Sequence, residues 1–197
     1  MIRKFSEAEI AGLRKKFNSA KPFEHAIIEN FFVNYQAIVR DLKKEKFIAK
    51  DTDLFSFKQT NNLAYAKTKG AKEAVSDFSS KEFSELIGKI TGMKLKKGAV
   101  DLFGALYQKT DYLLCHDDEL EGRKIAFIAY LSQSFEKKDG GSLVLMESKG
   151  THPTKKVIAY PPLRNSLAMF KVSRKSWHEV EEVLSSKKRY SIGGWLH

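Results

Sequence analysis

The sequence predicts an α+β fold: a double-stranded β-helix (the jelly-roll, cupin-like barrel) with supporting N-terminal helices. Three observations predict it. From about residue 100, short apolar runs alternate with turn residues, eight times in under a hundred residues. Eight strands arranged in two sheets make a jelly roll. Before residue 100 the apolar spacing is mostly helical. The length, 197 residues with 42% hydrophobic content, suits one domain with a sizeable core. We therefore expect a single domain over 1–197, with a helix-rich supporting part at 1–99 and the core barrel at 100–197.

The elements follow in order. Ser6 and Glu9 have the S-x-x-E form of a capping box and open a helix towards Phe17. Lys21-Pro22-Phe23 breaks it, and His25 to Phe32 reads as a strand and its exit. Tyr35 to Phe47 carries Ile38, Val39 and Leu42 at helical spacing. Asn61 to Asp77, poor in apolar periodicity, reads as a loop and a lid over the barrel mouth. Ser79 and Glu82 form a second S-x-x-E; Phe83, Leu86, Ile87 and Ile90 continue it as an amphipathic helix that stops at Gly92. The eight strands are VDLFGALY, YLLCH, KIAFIAYL, SLVLME, KVIAY, NSLAMFKV, HEVEEVL and RYSIGGWL. Gly140-Gly141 marks a turn. There is no internal repeat or low-complexity segment.

Composition bounds the setting. Charged residues interrupt every apolar run, so no stretch approaches membrane-spanning length. The N-terminus lacks the continuous apolar core of a secretory signal. A single cysteine, Cys115, excludes an internal disulfide and fits a reducing compartment, the cytoplasm or, in a eukaryote, the nucleus. We expect it to be a packed core thiol facing away from His116. The formal net charge of +11 favours anionic surroundings. The lysines are scattered and form no arginine-rich arm or aromatic RNA-binding signature.

The residues that carry chemistry are His116 and Asp118, His178, and Arg189 eleven residues further on. Two histidines and a carboxylate can cap one face of an octahedral metal and leave the other open, as non-haem Fe(II) needs when it must also hold a co-substrate and O₂. On a strand, residues two apart point the same way, so His116 and Asp118 share a face that Asp117 does not. The H-x-D spacing is weak alone, and spacing leaves His178 open between a metal ligand and a satisfied core histidine. His25, His152 and His197 have no metal spacing and read as ordinary histidines.

KPFEHAIIENFF, TDLFSFKQTNNL, YLLCHDDELEGRKIAFIAYL, GGSLVL, NSLAMFKVSRKSWHEVEEVL and RYSIGGWLH occur in that order. Together they resemble the catalytic domain of the ribosomal prolyl hydroxylases, from Lys21 onward. The HDDELEGR block and the RYSIGGW ending make the resemblance specific. It implies a 2-oxoglutarate- and Fe(II)-dependent dioxygenase that hydroxylates a proline in a small-subunit ribosomal protein. It implies His116, Asp118 and His178 as iron ligands and Arg189 as the anchor of the far carboxylate of 2-oxoglutarate. Tyr107 would help hold that carboxylate, and Ser191, on the same strand face as Arg189, would add a hydroxyl. Fe(II), 2-oxoglutarate and O₂ are the implied cofactor and co-substrates, with ascorbate as a reductant. Eukaryotic members carry a second barrel, so these residues are expected to supply the catalytic barrel alone.

Arginine suits the anchor because its planar fork pairs bidentately and stays charged when buried. Tyr130, Met169 and Phe170 read as barrel lining. Asp53 to Leu63 holds no expected ligand and is free to line the substrate entrance. The expected partner is a proline-containing protein segment near RNA, with the basic surface assisting capture and no membrane involved. The competing expectations are a nucleic-acid demethylase on the same iron core and a non-catalytic basic binding module. A zinc hydrolase would leave Arg189 without a role.

Overall fold

A computed structural model describes residues 2–197. Helix α1 spans Glu7–Ser19. Ser6 accepts from the Glu9 N–H at 3.2 Å while the Glu9 carboxylate accepts from the Ser6 N–H at 2.8 Å, the reciprocal box that the sequence predicts. Strand β1 is His25–Ile28 and helix α2 is Tyr35–Leu42. The helix ends well before the expected Phe47. Lys43-Lys44-Glu45-Lys46 offers no apolar side chain to extend its buried face, and Phe47 instead opens strand β2, Phe47–Thr52. Strand β3, Phe55–Thr60, pairs with it antiparallel.

The expected loop from Asn61 to Asp77 is a second correction. It holds a 3₁₀ turn at Leu63–Tyr65 and helix α3, Lys69–Phe78, so it is packed structure and not a lid. The buried residues of α3 are Gly70, Ala71, Ala74 and Phe78. Three are too small to register as an apolar stripe, yet their smallness is what packs the helix. A Cβ on Gly70 would stand 2.7 Å from the Ala37 carbonyl oxygen of α2. Helix α4, Lys81–Thr91, is capped by Ser80, which accepts from the Phe83 N–H, one residue later than the expected box. It stops at Gly92 with φ +74°.

All eight expected strands form: β4 Val100–Tyr107, β5 Tyr112–His116, β6 Ile125–Tyr130, β7 Leu143–Lys149, β8 His152–Tyr160, β9 Ser166–Lys171, β10 His178–Val180 and β11 Arg189–Leu196. Strand β8 begins earlier than expected and β10 is shorter. The sheet runs β1-β9-β6-β11-β4-β3-β5-β10-β7-β8, with β2 beside β3, and every pairing is antiparallel. Residues from β4, β5, β6, β9, β10 and β11 line one cavity, so the sheet curls round it as a jelly roll does. The first 99 residues therefore supply three strands as well as the helices.

Period-two alternation divides the central strands. Leu102, Leu106, Phe127, Leu167, Met169, Ile192 and Leu196 join the helix-side core, where Phe31, Phe32, Phe78 and Phe83 pack edge to face and stacked. Each such side chain contributes about 1.5–3 kcal/mol by leaving water. Tyr130 and Phe170 turn to the barrel interior as expected, whereas Met169 faces the helices. Gly193 sits where the ring of Phe103 crosses β11, and a Cβ there would meet that ring at 2.6 Å.

Candidate metal centre

His116 ends β5 and His178 opens β10, and the two strands set them directly opposite. Between Leu113 and His116 the pairing is irregular: three steps along β5 face two along β10. The irregularity lets both Leu113 and His116 face the cavity while Leu114 is exposed. Each imidazole is aimed by the carbonyl two residues earlier. His116 Nδ1 lies 2.8 Å from the Leu114 oxygen, and His178 Nδ1 lies 2.8 Å from the Ser176 oxygen. A carbonyl only accepts, so Nδ1 carries a proton in both rings and Nε2 is the atom turned to the cavity.

Asp118 reaches the same point by a route that strand alternation did not foresee. The strand stops at His116, and Asp118 takes the left-handed conformation with φ +62°. Aspartate tolerates that region better than most side chains. Its Oδ1 lies 3.6 Å from His116 Nε2, and its Oδ2 lies 3.5 Å from His178 Nε2. Both separations exceed a normal hydrogen bond of about 2.9 Å. One donor atom from each of the three residues falls within 4.8 Å of the others. Burial, and secondarily the neighbouring His116, holds the His178 imidazole well below its ordinary pKa. It is thus neutral, as metal binding requires.

Arg189, at the start of β11, is 1% exposed and lines the same cavity as the three donors. In register it faces Tyr107 on β4. Its guanidinium lies 4.7 Å from the Tyr107 ring and 5.0 Å from the Tyr130 ring, a cation between two aromatic faces. Nη2 reaches the Tyr130 hydroxyl at 3.5 Å, and buried Nε has no partner among the described residues. Burial pushes the phenols of Tyr107 and Tyr130 above their ordinary pKa, so both remain neutral donors. Phe57 stacks on Tyr107, 4.8 Å between ring centres. Ser191 also lines the cavity.

Residues 102–197 match the model of the 2OG-Fe(II) oxygenase superfamily. The prolyl 3-hydroxylase OGFOD1 of Xenopus laevis is 43% identical over 183 residues, covering 89% of this chain and 35% of the relative. The chain belongs to the 2OG-Fe(II) oxygenase superfamily. The prolyl 3-hydroxylase sudestada1 of Drosophila melanogaster is 32% identical over 173 residues, covering 82% of this chain and 32% of the relative. The chain thus spans about a third of the length of these curated relatives. A prolyl hydroxylase from Trichoplax adhaerens, solved with a hypoxia inducible factor peptide fragment, superposes with a TM-score of 0.72 at 16% identity, covering 98% of this chain and 94% of that one. A Pseudomonas putida prolyl-4-hydroxylase gives 0.69 at 15% identity, covering 94% and 98%. These two show a shared fold.

The residues fit the groups that name the superfamily. Two Nε2 atoms and a carboxylate converge at spacings too long for direct bonds, which suits a shared cation. An orphaned guanidinium nitrogen in an apolar pocket suits an anion. Three further features escaped sequence reasoning. Tyr130 holds Arg189, although it read as lining. Arg123 stacks on Trp195 at 3.6 Å, and its Nη1 lies 4.0 Å from Asp118 Oδ1. Among the described residues, Arg123 Nε and Trp195 Nε1 are buried donors without partners. The GR of HDDELEGR and the W of GGW were visible, but their convergence was not. His25 meets the Tyr160 hydroxyl and His197 meets Asp101, both away from the centre. Cys115 touches Met146 at 3.2 Å and does not line the cavity. It is half-buried, and burial raises its thiol to about 11.

No helix is long and apolar enough to cross a membrane among the described residues.

Proposed function

We propose that this chain is a 2-oxoglutarate- and Fe(II)-dependent dioxygenase that hydroxylates a prolyl residue of a protein, a small-subunit ribosomal protein being the first to test. The observation that carries the reading is the placement of His116, Asp118, His178 and Arg189 in one cavity. The names of the curated relatives support the prolyl substrate. His116, Asp118 and His178 would hold Fe(II). Arg189 would pair with the far carboxylate of 2-oxoglutarate, with Tyr107 and Ser191 beside it. With O₂, iron and 2-oxoglutarate supply the oxidising power that replaces a substrate hydrogen by hydroxyl while 2-oxoglutarate becomes succinate and CO₂. The chain supplies position and dryness: imidazoles aimed by backbone carbonyls, an anchoring cation, and apolar walls from Phe103, Ile128 and Phe170.

Proximity to RNA belongs to the same reading. Lys46, Lys67, Asn61, Asn62 and Tyr65 line one surface hollow, and the Tyr65 side is 80% exposed. Glu45 there is committed to Thr68 and to the Lys67 and Thr68 N–H groups, so its charge is partly spent.

The test is turnover. The chain, with Fe(II) and 2-oxoglutarate, is offered peptides and intact small ribosomal subunits, and succinate and a one-oxygen mass gain are measured. Product should require the target proline and vanish in His178→Ala while the variant stays folded. Oxygen incorporation into a proline-free peptide would overturn the prolyl assignment; turnover confined to methylated oligonucleotides would replace it with demethylation.

A further inference from the structure

We propose that Ser176 is a positioning residue that locks two of the three metal donors together before any ion arrives. The proposal rests on the reading of His116, Asp118 and His178 as a metal centre. Ser176 is fully buried, two residues before His178. Its carbonyl receives the His178 Nδ1–H at 2.8 Å and so aims Nε2 into the cavity. Its hydroxyl reaches across 59 residues of sequence to the Asp117 carbonyl at 2.8 Å. That carbonyl belongs to the peptide unit that leads into Asp118, the donor in a left-handed conformation.

The hydroxyl has one proton and two acceptors within reach, the Asp117 oxygen and the Ser173 oxygen at 2.7 Å. The Ser173 oxygen already receives the Ser176 N–H at 3.0 Å. The hydroxyl oxygen also accepts from the Ser173 N–H at 2.9 Å. The Asp117 carbonyl is therefore the acceptor that gains most from the proton. So arranged, one side chain closes the turn before β10 and clamps the segment after β5. The left-handed conformation at Asp118 is unfavourable for an L-residue, so something must hold it. Among the described residues, Ser176 grips the carbonyl just before it, and Arg123 approaches the carbonyl of Asp118 itself at 3.5 Å. Without the Ser176 hydroxyl, Asp118 can relax while His178 keeps its carbonyl partner, and the three donors lose their common focus.

Outer partners of this kind typically shift metal affinity by about 10–100-fold. The experiment titrates the full chain with Co(II) and follows both affinity and the ligand-field absorption spectrum. Thr91→Val serves as the stability control, because Thr91 is a buried hydroxyl bonded to the Ile87 carbonyl in α4, away from the centre. Ser176→Ala should lose roughly tenfold or more in Co(II) affinity and change the spectrum, while Thr91→Val matches wild type in both below its melting temperature. Should alanine leave the chain unfolded, Ser176→Cys, with similar volume and a weak donor, carries the same measurement. Wild-type affinity and spectrum in the folded Ser176 variant would overturn the proposal alone. Equal losses in the control would assign the effect to general stability and overturn it too. Failure of wild type to bind Co(II) would instead overturn the metal centre on which the proposal stands.

Discussion

At the scale of single residues the centre depends on groups whose surroundings leave one function open. Arg189 is a buried cation between two neutral phenols, with no carboxylate within ion-pair distance among the described residues. Burying a charge without an opposite partner is costly, so the pocket is poised for an anion. Losing one partner of a buried charge pair costs about 3–5 kcal/mol. Arg189→Ala should therefore raise the KM for 2-oxoglutarate by about two to three orders of magnitude, with Co(II) affinity almost unchanged. Steady-state kinetics and a metal titration on the same preparation check both halves. Arg189→Lys should recover only part of the loss, because an ammonium cannot reproduce the planar fork between Tyr107 and Tyr130. The type of each of these residues was legible in the sequence. Tyr130 was not legible as the partner of Arg189, because a tyrosine on an apolar strand looks like any other lining residue.

At the scale of elements, the packing of α3 on α2 shows where apolar periodicity fails as a guide. The stripe of α3 is built from Gly70, Ala71 and Ala74, and the helix axes approach because nothing larger intervenes. Gly70→Ala should destabilise the fold by about 1–3 kcal/mol, the usual cost of forcing a group into a packed contact, and lower the urea midpoint without changing the slope. The turn at 136–140 makes a different prediction. Asp139, nearly buried, accepts from Lys187 Nζ at 2.7 Å and from the Glu136 N–H at 2.8 Å. Chiefly Lys187, then the backbone bond, lowers its carboxyl from 3.8 to about 2. A depressed carboxyl adds stability that is present above its ordinary pKa and lost as pH falls through the folded value. Wild type should thus shed this contribution between about pH 4 and pH 2. In Asp139→Asn that part of the acid limb should be missing from urea midpoints measured across the range; an identical acid limb would show that the pair contributes nothing.

At the scale of the whole molecule, the net charge of +11 acts at long range. Many cations are already engaged, as in Lys156–Glu179 and Lys171–Glu24 at 2.8 Å, and an exposed pair such as the second contributes little to stability. Around Tyr65 the balance is different: Lys46 and Lys67 form no ion pair within 4.0 Å among the described residues. If this face meets RNA, turnover on intact ribosomal subunits should fall steeply as salt rises, because each phosphate contact releases counterions. Turnover on a short neutral peptide should respond much less. Replacing Lys46 and Lys67 by glutamine should flatten the first salt dependence and leave the second alone. Parallel salt curves for both substrates would remove electrostatic capture from the account.

By itself the sequence determined the strands from residue 100 onward, helices α1 and α4, and which residues are candidates for the chemistry. Those signals are local: alternation in β4, β6, β9 and β11, a capping box at Ser6, a metal-type pair at His116 and Asp118. Tertiary structure alone decided that His178 lies opposite His116, that an irregular pairing turns both Leu113 and His116 inward, and that Asp118 arrives by a left-handed turn. It also decided that Arg189 is held between rings from two neighbouring strands. The physical reason is that alternation states only that a side chain faces inward. Which inward side chains meet depends on strand order and register, set by burial of the whole sheet against its helices, and no short window of sequence contains that information.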